Sequence, residues 1–127
     1  MPKISIQQKP TFKQDVEIPQ VGGPAVKVPF TFNFLTRDQI AEFVDDEMNH
    51  GRELADVIRD GDATVKDLTA RSVEFQVKQL KQIIAGWGFD DELNDENIRA
   101  LVCSAANVPD TIVAAYKNAY QGARQGN

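Results

Sequence analysis

Residues 26–34, with the sequence VKVPFTFNF, decide how the first part of this chain folds. Every even position carries a large apolar side chain, and the odd positions carry lysine, proline, threonine and asparagine. The large side chains are Val26, Val28, Phe30, Phe32 and Phe34. Because successive strand residues point to opposite faces, this alternation predicts a β-strand with one buried face. Pro29 lacks a backbone N–H, which favours an edge strand or a bulge there.

A second alternating segment precedes this strand. Phe12, Val16 and Ile18 share one predicted face, and charged residues occupy the other. Residues 19–24 (PQVGGP) contain adjacent glycines flanked by prolines, which is typical of a turn. We therefore expect a β-hairpin within residues 1–35, with a loop longer than two residues. Since an isolated hairpin is only marginally stable in water, it should lie on helices or pair with another chain.

Helical patterns begin directly after the hairpin. Thr36 and Gln39 form a capping box that opens the first helix. This helix is expected to run to about Met48, with Gly51 breaking or ending it, and a short helical stretch follows near residues 54–58. The longest helix is expected over about residues 63–85, where its apolar stripe indicates packing against other helices.

Two more helices complete the predicted chain. The sequence GWG at 86–88 should end the long helix, Asn94 should cap the next one, and a turn at 107–110 precedes the last. Residues 125–127 are expected to form a frayed tail. The prediction is a single α+β domain over residues 1–127 that is mainly α-helical. An N-terminal β-hairpin segment (1–35) precedes a helical body (36–124) of four or five helices.

The composition excludes several classes of protein. The chain has 127 residues, with 14 basic and 19 acidic side chains and a formal net charge of −5. This acidity argues against a nucleic-acid binder and against docking on an anionic membrane. The sequence contains no apolar run of about 18 residues and no signal-peptide pattern, so neither a transmembrane helix nor a signal peptide is expected. Because Cys103 is the only cysteine, no disulfide can form within the chain, and a reducing cytoplasm is expected.

The residues that could carry chemistry form no known catalytic or metal-binding pattern. Ser72 and Ser104 lack the glycines of a nucleophile elbow. Asp46 and His50 would share one helix face, but no second histidine or cysteine pair completes a metal site. Cys103 is interpreted as a small buried apolar residue. We therefore expect no enzymatic activity, no catalytic residue, no cofactor and no metal ion.

Several short segments together resemble a known family. In chain order they are VPFTF (28–32), LTRD (35–38), IAGW (84–87), NIRAL (97–101) and AAYKNAY (114–120). Their order is similar to that of the small tail assembly chaperones of long-tailed bacteriophages, over about residues 26–126. The GW pair after the long helix and the late helix of alanines and tyrosines are the best marks of this resemblance.

The resemblance implies a specific function. Such chaperones act in the cytoplasm of the infected bacterial host, bind the tape-measure protein, keep it soluble and help to recruit tail-tube subunits. They are absent from the mature virion, and some members self-associate, which implies a homo-oligomer. Many are also made as a longer form by frameshifting.

Two sets of apolar residues are candidate contact sites. A chaperone for a helical client needs apolar contacts that can be released. The residues predicted to lie near the client groove are Trp87, Phe89, Tyr116 and Tyr120. The hairpin offers a strand edge for pairing with a neighbouring subunit. The residues predicted to support this self-association are Val28, Phe30 and Phe32.

Two other functions are open at this point. One is a virion structural protein of the head–tail joining or tail-completion type, and the other is an acidic regulator that mimics nucleic acid. The charge is also segmented, because residues 36–67 carry ten acidic and four basic side chains whereas residues 1–35 and 68–89 are each net positive. Such a pattern would suit head-to-tail contact between identical subunits.

Overall fold

A computed structural model describes residue 6 and residues 10–124 of the chain. In this part, three strands and four helices follow one another. They are β1 (Thr11–Gln20), β2 (Gly23–Asn33), α1 (Arg37–Arg59), α2 (Val65–Ile83), β3 (Ile84–Trp87), α3 (Asp95–Ser104) and α4 (Asn107–Arg124). The predicted α+β class, with a hairpin before a mainly helical body, is confirmed. The tail expected at residues 125–127 lies outside the described residues.

The three strands form one antiparallel sheet in the order β1-β2-β3, with β2 in the centre. Phe12 pairs with Phe32 and Val16 with Val28, so the apolar residues of β1 and β2 lie on one face. The buried residues of this face are Val16, Ile18, Val28, Phe30 and Phe32. The alternation in the sequence therefore predicted the hairpin and most of its buried face correctly, but Val26, next to the turn, is 49% exposed.

The hairpin turn is shorter than predicted. Gln20 pairs with Gly23, which leaves only Val21 and Gly22 as turn residues. Gly22 has a φ of 73°, which glycine adopts without a steric penalty. The register shifts between Ile18 and Gln20, which indicates a bulge next to the turn. Residues that were predicted to belong to the loop are therefore part of the strands.

Pro29 lies in the central strand and not at an edge as predicted. Its carbonyl oxygen accepts a hydrogen bond of 2.8 Å from the Gly88 N–H, just beyond the last paired residue of β3. The nitrogen of a strand residue points to the same side as its carbonyl, so the missing donor of Pro29 faces the end of β3. A Cβ added to Gly88 would lie 2.5 Å from Pro29 Cγ. Gly88 is therefore required by this close approach.

Helix α1 is continuous through Gly51, where the sequence had predicted a break. The capping box is present: Gln39 N–H donates to Thr36 Oγ1 at 3.4 Å, and Thr36 N–H donates to Gln39 Oε1 at 2.8 Å. An internal glycine costs a helix only about 1 kcal/mol relative to alanine. The 23-residue helix absorbs this cost, and the short helix expected at 54–58 is its last part.

The long helix ends two residues earlier than predicted because the next segment joins the sheet. Ile84 has extended backbone angles, φ −96° and ψ 120°, and pairs with Phe32 as the first residue of β3. Ile84 and Trp87 continue the apolar spacing of α2 in the sequence, but they belong to a strand. This third strand is the element that the sequence analysis missed.

Helix α4 packs on the inner face of the sheet, and α3 packs on α2 and α4. The Tyr116 ring of α4 lies 5.2 Å from the Phe32 ring and 5.7 Å from the Phe12 ring, measured between centroids. Ile98 and Val102 of α3 are also buried. No single helix of the described residues is long and apolar enough to span a membrane. Only the pair α3 and α4, bent by 109°, meets that test together.

Candidate functional site

Trp87 and Phe89 form a partly exposed aromatic cluster with Phe30 beneath them. Ring centroids lie 5.1 Å apart for Trp87–Phe89, 6.5 Å for Trp87–Phe30 and 5.9 Å for Phe89–Phe30, and all three pairs are edge-to-face. Phe30 is buried, whereas Trp87 and Phe89 are half-buried. The pair at the end of β3 thus combines a fixed geometry with accessible apolar surface.

The loop after this cluster gives it an acidic border. Trp87 Nε1–H donates to the carbonyl oxygen of Asp91 at 2.9 Å, which fixes the indole against residues 90–92. The side chains of Asp90, Asp91 and Glu92 are exposed. An aromatic patch beside three carboxylates suits a partner that carries apolar side chains next to lysine or arginine.

The structure places Tyr116 and Tyr120 inside the protein. The Tyr116 hydroxyl donates to the carbonyl oxygen of Asn33 and the Tyr120 hydroxyl to that of Leu35, both at 2.9 Å. Burial raises the pKa of the Tyr116 hydroxyl. These two side chains therefore tie α4 to the segment that links β2 to α1, and the structure does not bring them to a surface with Trp87.

Val28, Phe30 and Phe32 are also buried, in the face of β2 that covers the core. Their side chains are thus used within the monomer, where they hold the hairpin on the helices. Their predicted part in self-association stays a prediction, and any such part would be indirect.

In the described part of the chain, β1 is an edge strand of the sheet. The Pro10 carbonyl oxygen accepts from the Phe34 N–H at 2.8 Å, so even-numbered residues of β1 direct their polar backbone groups toward β2. The odd-numbered residues direct theirs outward. Among the described residues, the backbone N–H groups of Lys13, Asp15 and Glu17 meet no partner strand.

The residues considered for chemistry pack as ordinary side chains. The His50 ring stacks on the Phe75 ring at 4.2 Å, and His50 Nε2 lies 3.4 Å from Ser72 Oγ. In the described ranges, no carboxylate is hydrogen-bonded to His50, and no group of three or more His, Cys, Asp or Glu could hold a metal ion. The Ser72–His50 pair therefore lacks the third group that orients a catalytic imidazole.

Cys103 is exposed, which corrects the prediction that it is buried. It lines an open groove of about 350 Å³ between α2 and the start of α4, together with Val65, Leu68 and Val102. Val102 points into the core and Cys103 is the next residue along α3, so the helix turn carries the thiol to the outside.

Two ion pairs connect α1 to other helices. Glu53 Oε1 lies 2.7 Å from Arg71 Nη1 of α2, and Glu47 Oε1 lies 2.7 Å from Lys117 Nζ of α4. Part of the acidic charge of residues 36–67 is thus matched within the chain by the basic residues that follow. These exposed pairs fix orientation more than they add stability.

An exposed apolar surface that was not predicted lies on α1. Six exposed residues recur there at a spacing of three and four residues, which places them on one face of the helix. This outer stripe consists of Ala41, Val44, Met48, Gly51, Ala55 and Ile58. Val44, Met48 and Ile58 are 40%, 52% and 59% exposed. The spacing was visible in the sequence, but alanine and glycine obscured it, and the assumed break at Gly51 divided it.

Comparisons with known proteins add the identity of the family. A family model described as phage tail assembly chaperone matches residues 1–127, the whole sequence. No curated protein matches the chain, and neither does any solved structure. The match includes all the segments on which the sequence resemblance rests and extends to the first residue. The chain belongs to the phage tail assembly chaperone family.

Proposed function

We propose that this protein binds the tape-measure protein of a long-tailed phage, keeps it soluble and helps to recruit tail-tube subunits during tail assembly. The family match over residues 1–127 is the observation that carries this proposal. The protein acts in the cytoplasm of the infected host, is left out of the mature virion, and needs no catalytic step.

The client surface in this proposal is the Trp87–Phe89 cluster with its acidic border. The cluster is accessible, and edge-to-face packing on Phe30 holds it in place. A tape-measure protein is expected to be helical, and an amphipathic helix with basic residues beside its apolar face would match both parts of this surface. Tyr116 and Tyr120 act at a distance, because they position α4 within the core.

Self-association is the second part of the proposal. If the hairpin supplies the contact, the backbone edge of β1 does so by pairing with a strand of another copy. Asp15→Pro removes one outward N–H from this edge, while the bonds to β2 come from the even-numbered residues. This variant should fold, and it should associate less only if the β1 edge supplies the contact. An unchanged molar mass in sedimentation would exclude the β1 edge.

Co-expression with fragments of the tape-measure protein tests the client surface. We expect the full chain to raise the soluble fraction of at least one fragment. The double variant Asp91→Lys, Glu92→Lys should lose this effect, because it reverses the charge of the border and leaves the Asp91 carbonyl bond intact. The control Asp60→Lys, Asp62→Lys makes the same change in charge between α1 and α2 and should behave as the wild type.

The outcomes separate the candidate functions. If no fragment becomes more soluble, the tape-measure proposal is wrong. If both double variants lose activity equally, overall charge rather than this surface is responsible. Mass spectrometry of purified virions addresses the alternative of a head–tail joining or tail-completion protein, which would be present there in stoichiometric amounts, whereas a chaperone would be absent.

A further inference from the structure

Helix α1 exposes a continuous surface that nothing in the described part of the chain covers. The outer stripe runs from Ala41 to Ile58, a length of about 26 Å. The steps between its members are three, four, three, four and three residues, which is the spacing of the seam in a coiled coil. The opposite side of α1 already packs on α2 and α4, because Phe43 is buried and His50 stacks on Phe75.

Gly51 has no explanation within the monomer. A Cβ added there would meet no atom within 4 Å, so no close contact in this chain requires glycine. Glycine in a helix interior is unfavourable relative to alanine. A small residue in the middle of an exposed apolar stripe instead leaves a hollow that a side chain of another molecule can fill.

The stripe is complementary in size to a second copy of itself running in the opposite direction. When Met48 is placed opposite the partner's Gly51, Val44 falls opposite the partner's Ala55, and Ala41 opposite the partner's Ile58. Every layer then pairs a large residue with a small one, which is the arrangement that lets facing layers interdigitate. A parallel pair in register would put Gly51 opposite the partner's Gly51 and leave the hollow empty.

Charges along one border of the stripe are complementary in the same alignment. Asp38, Asp45, Arg52 and Arg59 follow one another at intervals of seven residues, so all four lie on one side of the stripe, and all are exposed. The antiparallel alignment brings Asp45 near the partner's Arg52, and Asp38 near the partner's Arg59. The offset along the axis is about 3 Å, which a long arginine side chain spans.

We propose that two copies of this chain pair through antiparallel α1 helices, about a two-fold axis that crosses the helix between residues 49 and 50. Such an interface uses the same surface on both copies and closes at a dimer. In the monomer Arg52 bonds to Asn49, and Arg59 lies 3.2 Å from Asp56. These contacts are exposed and local, so the two arginines can exchange them for the partner's carboxylates or share them.

A second copy fits this surface better than a client helix does. The side-chain sizes and the border charges are both complementary in the same antiparallel alignment. A second copy of α1 satisfies both patterns by its sequence, whereas a client helix would have to match each of them separately. The proposal is independent of the tape-measure protein, so it is tested on the purified full chain alone.

Charge reversal at the border provides the first test, with sedimentation measured against protein concentration. Asp45→Arg and Arg52→Asp should each raise the dissociation constant of the dimer at least about tenfold, because each turns two attractive pairs into repulsive ones. The double variant Asp45→Arg, Arg52→Asp should recover the wild-type value, and an equimolar mixture of the two single variants should form a heterodimer. Glu96→Arg in α3 and Lys27→Asp in β2 carry the same charge changes at exposed positions away from α1 and should have no effect.

Gly51→Glu provides the second test because it separates dimerisation from folding. Glutamate favours a helix over glycine, and the position is open, so the monomer should keep its helix content and melt no lower than the wild type. The dimer should be lost, since a carboxylate would enter each central layer. Ala70→Glu on the exposed side of α2 is the control and should still dimerise.

Three results would overturn the proposal. One is a wild-type chain that stays monomeric at about 100 µM, a concentration at which a dimer with a micromolar dissociation constant is well populated. Another is that the double variant Asp45→Arg, Arg52→Asp fails to restore the dimer, which would exclude the antiparallel alignment. The third is a Gly51→Glu protein that dimerises normally. If that variant instead lost only tape-measure binding, the stripe would be a client surface and the dimer would be wrong.

Discussion

Replacing the two buried tyrosines by phenylalanine should lower stability without affecting partner binding. The hydroxyls of Tyr116 and Tyr120 donate to the Asn33 and Leu35 carbonyl oxygens, both at 2.9 Å. Phenylalanine keeps the ring, and thereby the contact of Phe34 with the Tyr120 ring at 4.9 Å, but removes the donor. Each change leaves one backbone acceptor unsatisfied at the junction between β2 and α1.

The expected loss follows from the energetics of buried hydrogen bonds. A neutral bond adds about 1 kcal/mol net, and an unsatisfied buried group costs about 1–3 kcal/mol, so each variant should lose about 1–2 kcal/mol of unfolding free energy. With about 2.1 cal/mol/K of unfolding entropy per residue, a loss of that size lowers the melting temperature by roughly 4–8 °C. The two rings lie 5.9 Å apart, so the double variant need not show the sum of the single losses.

Urea unfolding at pH 7 measures this loss, with Trp87 fluorescence and far-UV circular dichroism as independent probes. Tape-measure solubilisation by the folded variants should equal that of the wild type, because neither hydroxyl reaches the surface. Variants that keep wild-type stability but fail to solubilise the client would refute the reasoning. Such a result would mean that the two tyrosines lie at the client surface, as predicted from the sequence.

Three further outcomes follow from the same contacts. Gly88→Ala should lose about 1–3 kcal/mol of stability, since its Cβ would overlap a proline ring at 2.5 Å, whereas Gly86→Ala meets its nearest atom at 3.5 Å and should be tolerated better. Hydrogen bonding from Arg99 lowers the pKa of Glu74, so Arg99→Gln should raise that pKa, as followed by carboxyl NMR. Burial raises the pKa of Tyr116 in the folded protein, whereas the unfolded phenol ionises above about pH 10. The free energy of unfolding should therefore fall as the pH rises above about 10, and Tyr116→Phe should weaken this decline.

Local sequence signals predicted the hairpin and most helices because they act over a few residues. The alternation in residues 26–34 sets the buried face of β2, and the capping box at Thr36 starts α1 where expected. The third strand escaped because it has only four residues and continues the apolar spacing of α2. Its pairing with β2 connects residues more than fifty positions apart, which no local pattern reports.

The candidate contact residues show a different limit of sequence reasoning. Trp87, Phe89 and the two tyrosines carry the same aromatic signal, yet the first two are half-buried and the tyrosines are buried. A large apolar side chain is favoured both in a core and at an interface, and only the packing of α4 on the sheet distinguishes them. Conversely, the outer stripe of α1 contains alanine and glycine, whose placement becomes informative once the helix is known to be continuous.

The structure also changes how the segmented charge should act between subunits. The segmented charge predicts head-to-tail contact between the acidic stretch of residues 36–67 and the basic segments, but Glu53 and Glu47 are already paired with Arg71 and Lys117 of the same chain. What remains on the border of the outer stripe is acidic in its first half and basic in its second, which favours a two-fold pair. A head-to-tail contact would give masses that keep rising with concentration, whereas a two-fold contact stops at a dimer. Added salt should weaken that dimer only modestly, because it screens the bordering charges but leaves the apolar layers intact.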